Sequence, residues 1–273
     1  MTIDSAIKLN NNIEIPRFGL GVYLSKPGKT TYNAVLWALD AGYRHFDTAK
    51  AYRNEGDVGK AIKDSGLKKE DIFVTTKLWN EDQGFEKALR AFDNSLAELG
   101  FDYVDLYLIH WPVEKERKDS WKALEKIYTE GRARSIGVSN YTIKHLKEME
   151  SYAEVRPMVN QVEFHPFLFQ KNLLDYCIMK GIQVEAYTPL TRGERLDHPD
   201  FQVMAKKYSK TSAQILIRWS LQHDLVVIPK SVHKERIIEN SQVFDFEISG
   251  SDMEILDSIN EELRVCWDPT NVE

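Results

Sequence analysis

Cysteine is scarce. The 273 residues contain only Cys177 and Cys266, too few for a disulfide framework or a cysteine-based zinc site. Cys177 lies on the apolar side of a helical pattern with Leu173, Leu174 and Ile178, and is expected to be a buried small hydrophobe. The seven histidines, His45, His110, His145, His165, His198, His223 and His233, show no His-Glu-x-x-His and no other tight ligand spacing. No metal is expected. Long apolar runs are also missing: the longest covers 34–39, against the roughly 18 residues a membrane span needs. There is no excess of positive charge. Lys and Arg number 36 against 42 Asp and Glu, a net charge of −6, which argues against a basic stripe for nucleic acid. The opening Met-Thr-Ile-Asp has neither the basic nor the apolar region of a secretory signal. The composition, 42% apolar and 29% charged, predicts a soluble globular protein, and a reducing cytoplasm is its expected location.

What the sequence does have is a repeated architecture. Eight strand-like segments recur at 15–21, 43–47, 72–77, 104–110, 133–140, 158–164, 182–187 and 225–230. Their centres lie about 24 to 33 residues apart, with a longer final interval, which is the pitch of a βα unit. Near-continuous apolar runs such as Val104-Asp105-Leu106-Tyr107-Leu108-Ile109 suit parallel strands buried on both faces. Helical patterns fill the gaps. Phe85, Leu89, Phe92, Leu96 and Leu99 form one stripe, and Gly100 follows as a stop. Other helices are predicted over 30–41, 54–65, 120–130, 142–152, 170–180, 211–222 and 234–243, with an extra one near 251–262. Residues 6–15 read as a β-hairpin with an Asn-rich turn. No linker divides the chain, so a single domain over 1–273 is expected.

Eight alternations predict a closed (β/α)8 barrel, with the N-terminal hairpin and one or two extra helices, rather than an open doubly wound sheet. The open sheet usually carries Gly-x-Gly-x-x-Gly. Here Gly19-Leu20-Gly21-Val22-Tyr23-Leu24 lacks the third glycine. Gly137-Val138-Ser139-Asn140-Tyr141 is only half of a nucleophile elbow, and no Walker A sequence is present. Chemistry in such a barrel collects at the strand C-termini. There the sequence places Asp47, Lys77, His110, Ser139, Asn140, Gln161, Tyr187 and Lys230, with Tyr52 five residues after Asp47. Each alone has a plain structural explanation. Together they set an acid, a phenol, an ammonium and an imidazole around one rim.

Five ordered motifs carry a resemblance that covers essentially the whole chain. They are Gly42-Tyr43-Arg44-His45-Phe46-Asp47-Thr48-Ala49 with Tyr52-Arg53-Asn54-Glu55, Val74-Thr75-Thr76-Lys77-Leu78-Trp79, Asp105-Leu106-Tyr107-Leu108-Ile109-His110-Trp111-Pro112, Ile136-Gly137-Val138-Ser139-Asn140, and Ile228-Pro229-Lys230-Ser231. The chain resembles the aldo-keto reductases. The resemblance implies that Asp47, Tyr52, Lys77 and His110 are the catalytic tetrad. Carbonyl reduction needs a hydride on carbon and a proton on oxygen. A free phenol, with a pKa near 10, is a reluctant acid. A neighbouring Lys77 ammonium, held by Asp47, is expected to lower it, so that Tyr52 donates the proton. A neutral His110 would orient the carbonyl oxygen.

The same resemblance implies a nicotinamide cofactor. Ser139, Asn140 and Gln161 would hold its carboxamide, Tyr187 would stack on its ring, and Gly21 and Val22 would approach it by backbone. Asp47 would lie beside it. Pro189, Leu190 and Arg192 belong to the loop expected over the pyrophosphate. That loop departs from the family, which usually has Ser at Thr188 and often Gly at Thr191. Lys230, Ser231, Val232 and Arg236 would receive a 2′-phosphate, aided by the dipole of the helix that follows. Glu239 and Asn240 would hold the adenine. NADPH (NADP+) is expected, with NADH as a secondary cofactor. The plain alternative is that Lys234, Glu235 and Arg236 form a solvated helix face.

The substrate site is read from aromatic residues near the tetrad: Tyr23, Trp79, Trp111 and Trp267, with His110 between them. The short tail after the last helix resembles the bacterial and protozoan branch, which includes diketogluconate reductases and prostaglandin F synthases. It implies an open pocket for small aldehydes, α-dicarbonyls and some ketones. The expected partners are a small-molecule carbonyl substrate, no nucleic acid and no membrane, in a monomer. Two other classes remain: a partner protein like the potassium-channel β subunits, which share this fold, and a phosphate-handling barrel isomerase or lyase. An exposed apolar docking patch would favour the first, and failure to bind nicotinamide the second.

Overall fold

The computed structural model describes residues 1–272. Eight strands form one parallel sheet: β3 (Leu20–Gly21), β4 (His45–Asp47), β5 (Phe73–Leu78), β6 (Leu106–Ile109), β7 (Ile136–Ser139), β8 (Val159–Glu163), β9 (Gln183–Tyr187) and β10 (Val226–Val227). They lie in chain order from β3 to β10. The sheet curls until its ends meet, with Phe18 bridging Val227 in parallel. Gly19 N donates to Val227 O at 3.0 Å, and Val227 N to Arg17 O at 2.9 Å. The approach is tight enough that a Cβ on Gly21 would lie 2.9 Å from the Ile228 carbonyl oxygen. Glycine at 21 is thus required by closure of the barrel.

The stretch 15–21, expected as one strand, is two. Pro16 has no N–H with which to continue a ladder. It ends a separate hairpin, β1 (Ala6–Lys8) with β2 (Glu14–Pro16), in which Ile7 faces Ile15. The hairpin turn is pinned to the barrel. Asn10 Nδ2 donates to Pro157 O and Gly181 O at 3.1 and 3.0 Å, and Asn11 Nδ2 to Arg134 O at 2.9 Å. Those carbonyls precede β8, β9 and β7, so the hairpin covers the N-terminal end of the barrel, away from the strand C-termini.

Helices wrap the outside: α1 (Lys29–Asp40), α2 (Glu55–Asp64), α3 (Phe85–Leu99), α4 (Arg117–Thr129), α5 (Ile143–Met149), α6 (Lys171–Lys180), α7 (Pro199–Tyr208), α8 (Ser212–Gln222), α9 (Lys234–Ser241) and α10 (Gly250–Asp257). Parallel neighbours need such crossovers, which pack back onto the sheet. In α3 Phe92, Leu96 and Leu99 of the expected stripe are buried, together with Ala88 and Ala91, while Phe85 and Leu89 are half-buried against the core. Gly100 ends it at φ 66°. Thr142 and Thr211 each close a capping box on the third helical residue. Helix α7 was not expected. Only Phe201 and Met204 of it are buried, too few for a periodic signal, although Pro199 at its first turn is a helix-start residue. The α5 pattern ends earlier than 152, and α10 ends at Asp257.

Strand β5 shows how the barrel positions its chemistry. All six of its residues are buried, and alternate side chains point to opposite faces. Thr76 points outward to Glu55 of α2, at 2.5 Å. Thr75 and Lys77 point inward, to His45 and Asp47 of β4. The outer layer is apolar, with Trp121, Trp219, Phe92 and Tyr107 among its largest buried side chains. Cys177 is buried there as expected, and burial pushes its thiol up to about 12. Among the described residues no helix is long and apolar enough to cross a membrane.

Candidate active site

At the C-terminal ends of the strands lies a cavity of about 950 Å³. Its centre is the end of β4 and β5. Lys77 is fully buried. Its Nζ donates to Asp47 Oδ1 and Oδ2 at 2.6 and 2.7 Å and to Thr48 O at 3.0 Å. Tyr52 Oη is a longer contact at 3.4 Å. Tyr52 sits in a single 3-10 turn, Lys50–Tyr52, which the left-handed Arg53 closes at φ 57°. Asn54 holds this segment in place. It accepts from Thr48 Oγ1 at 2.8 Å, and its Nδ2 donates to Val22 O and Ser25 O at 3.1 and 3.2 Å. The Tyr52 ring packs between Tyr23 and His110, at centroid distances of 5.0 and 5.5 Å.

The electrostatics differ from the sequence expectation in one respect. The Tyr52 phenol lies well above its ordinary range rather than below it. Burial penalises the phenolate, and the Asp47 carboxylate adds to the effect. The Lys77 ammonium gives its two shortest hydrogen bonds to Asp47, and the charge of that carboxylate offsets the ammonium's pull on the phenol. Tyr52 therefore keeps its proton in this state. His110 is held well below its ordinary range by burial and then by Lys77, so the ring is neutral. Its edge faces Trp79, 5.2 Å between centroids.

Gln161, Ser139, Asn140 and Tyr187 continue the rim. Gln161 Nε2 donates to Asp47 Oδ2 at 2.8 Å. Ser139 Oγ donates to Gln161 O at 2.9 Å. Asn140, left-handed at φ 65°, donates from Nδ2 to His110 O at 2.9 Å and accepts from Tyr187 Oη at 2.8 Å. This chain of bonds fixes the Tyr187 ring against the cavity wall. Beyond it, Pro189, Leu190 and Arg192 line one side. The backbone there is bent hard: Thr188, Thr191 and Arg192 have φ of 53°, 48° and 55°, a costly region for β-branched threonine.

The far end of the cavity is formed by Lys230, Ser231, Val232, Arg236, Glu239 and Asn240. Among the described residues Lys230 has no counter-ion, and burial pulls its ammonium down. Arg236 reaches the cavity, whereas Lys234 and Glu235 of the same turn are exposed outside it. Of the residues assigned to the catalytic, cofactor and substrate sites from the sequence, Val22 and Lys77 alone do not line the cavity. Lys77 lies beneath Tyr52. The Val22 side chain is buried in the core, and its backbone is taken up by Asp47 O and Asn54.

The mouth is aromatic. Tyr23, Trp79 and Trp111 line it. Trp267 faces Trp111 edge-on at 6.2 Å. The tail that carries Trp267 is fastened by buried polar groups. Glu163 accepts from Val265 N and Cys266 N at 2.8 and 3.3 Å. His145 Nε2 contacts Val272 O at 2.7 Å. Glu273 lies outside the described residues. Sequence reasoning passed over Glu163, Glu185, Leu24 and Cys266. A glutamate in the middle of an apolar strand, as in Val184-Glu185-Ala186, was the available signal for the first two. Leu24 and Cys266 carry none. Among the described residues, no His, Cys, Asp and Glu cluster could hold a metal ion.

Residues 19–261 match the family model described as the aldo/keto reductase family. Glyoxal reductase of Bacillus subtilis is 50% identical over 268 residues, covering 98% of this chain and 97% of its own. The 9,11-endoperoxide prostaglandin H2 reductase of Trypanosoma cruzi is 47% identical, covering 98% and 95%. A Bombyx mori aldo-keto reductase crystallised with NADP superposes with a TM-score of 0.91 at 35% identity, covering 97% and 96%. The chain belongs to the aldo/keto reductase family, and is an oxidoreductase that interconverts carbonyl and alcohol groups.

Proposed function

We propose that the protein is an NADPH-dependent reductase of aldehydes, α-dicarbonyls and some ketones, with Tyr52 as general acid. The observation that carries this reading is the contact of Tyr52 Oη with the buried Lys77 Nζ at 3.4 Å, where Tyr52 lines the cavity together with Gln161, Ser139, Asn140 and Tyr187. The residues fit the cofactor in kind and order. Amide and hydroxyl groups stand at the tetrad, an aromatic ring is fixed beside them, and two cations stand at the far end, where a 2′-phosphate would sit. Bound NADPH supplies the hydride. The substrate enters past Trp79, Trp111, Tyr23 and Trp267. His110 orients its carbonyl oxygen by a hydrogen bond, and Tyr52 delivers the proton to that oxygen. Lys77 and Asp47 hold the hydroxyl in place.

Names of relatives support the substrate class: one is a reductase of glyoxal, an α-dicarbonyl. A docking role has less support. Exposed large apolar side chains gather at the mouth as Tyr23, Leu24 and Trp267, and the others are Met1 and residues scattered over several helices. We place the enzyme in the reducing cytoplasm, a reading supported by its two unpaired thiols, and read its eight units around one core as a single domain.

The test is NADPH oxidation against aldehydes, α-dicarbonyls and ketones, repeated with NADH and with Arg236→Ala. The variant is expected to raise KM for NADPH about 10- to 100-fold, the effect of losing a charge-assisted bond. KM for NADH should stay within about twofold. An equal change in both would remove the 2′-phosphate assignment, and no oxidation with any carbonyl would remove the function.

A further inference from the structure

A second carboxyl lies under the tetrad. Glu185, in the middle of β9, is fully buried. Its Oε2 accepts from Gln161 Nε2 at 3.1 Å, the same nitrogen that donates to Asp47. Among the described residues its Oε1 has no hydrogen-bond partner. His45 Nε2 lies 3.6 Å from it and is itself bonded with Thr75 Oγ1 at 3.1 Å. The titratable and charged groups around Glu185 are His45 and Asp47 from β4 and Lys77 from β5. Strand β8 presents Gln161, and β10 presents only Val226 and Val227 beside it.

Counting charges decides its state. One ammonium serves two buried carboxyls. Every hydrogen bond of Lys77 goes to Asp47, Thr48 O or Tyr52, and none goes to Glu185. His45 is neutral, because burial pulls its imidazole down to about 3. Burial raises Asp47 too, but Lys77 and Gln161 oppose that. Glu185 has no such cation in contact. A buried carboxyl in that position takes a proton rather than remain an unpaired anion.

We propose that Glu185 is a positioning residue which acts as a neutral carboxylic acid. With Asp47 it takes up the N–H bonds of Gln161, and so turns the Gln161 carbonyl oxygen toward the cavity as an acceptor for the nicotinamide carboxamide. Oε1 carries the proton. Ionisation would place a second negative charge on the Gln161 amide and beside Asp47, loosening the arrangement under the cofactor. The part that concerns cofactor rests on the function proposed above, while the protonation state does not.

The experiment therefore has a cofactor-free arm. Infrared difference spectra of the apoprotein should show a protonated carboxyl C=O band that titrates away with a midpoint at about 8, the position to which burial and Asp47 push Glu185. The band should be missing in Glu185→Gln. Its absence from the wild type, or its survival in the variant, overturns the proposal whatever the enzyme reduces. In the second arm, NADPH binding is followed by fluorescence. Glu185→Leu, which removes the acceptor from Gln161, should weaken binding about fivefold to tenfold. Glu185→Gln keeps the acceptor and should restore most of that loss. Wild-type affinity should fall at least about threefold as pH rises past the midpoint, and the Gln variant should lose this dependence. If the Gln variant keeps it, or binds no better than Leu, the positioning role fails. If wild type binds no NADPH at all, it is the function reading that fails, and the infrared result still stands.

Discussion

Tyr52→Phe is expected to lower kcat for carbonyl reduction by about 10²- to 10⁴-fold, the range for removing a positioned general acid. NADPH binding should be retained. The substitution leaves the ring in its place between Tyr23 and His110 and deletes only an oxygen whose one contact with Lys77 is long. Neither the fold nor the cofactor groups depend on it, so stopped-flow turnover together with fluorescence titration separates proton delivery from binding. Near-normal rates would take Tyr52 out of the mechanism. The electrostatics add a pH signature. With the phenol well above its ordinary range, Tyr52 is protonated throughout the neutral region and ready to donate. Alcohol oxidation needs the phenolate as base. Its rate should therefore climb with pH across the alkaline range, while reduction shows no loss there that traces to Tyr52.

The barrel was legible because its signals are local and repeated. Parallel strands buried on both faces, such as 104–110, leave continuous apolar runs, and α3 leaves a stripe that Gly100 ends. What could not be read was set by long-range contact. The split of 15–21 by Pro16 depends on whether the chain leaves one sheet for another. Helix α7 buries too little of itself to leave a period. The site shows the same division. Asp47, Tyr52, Lys77 and His110 could be grouped because the strand ends must converge at one rim, and resemblance supplied the cofactor residues. The phenol shift was misjudged because proximity to Lys77 was visible in the motifs, but the two short bonds that commit Lys77 to Asp47 were not. Glu185 was passed over for a related reason. In one strand it is an isolated polar residue, and its meaning comes from Gln161 and His45 on other strands.

Lys77→Met carries the other large effect, and it separates what the Lys77–Asp47 pair does for the fold from what it does for the reaction. Met fills most of the space, but Asp47 is left buried with no cation. Removing one member of a buried pair costs about 3–5 kcal/mol, and urea unfolding should show a loss of that size at neutral pH. The pH dependence has a definite sign. In the variant the Asp47 carboxyl, already pushed up by burial, loses the ammonium that opposes this shift. Its folded value then lies further above the unfolded one, near 3.9. A carboxyl raised on folding favours the folded state below its unfolded pKa, and that advantage is lost as pH rises through the folded value. The variant should therefore approach wild-type stability in acid and fall away from it toward neutrality. A loss that stayed constant with pH would mean that packing, not charge, is the cause. Adding Asp47→Leu should recover much of the stability, since replacing both members by apolar groups is often neutral. It should recover none of the reductase activity, because Tyr52 would then have no polar group beneath it to hold its hydroxyl.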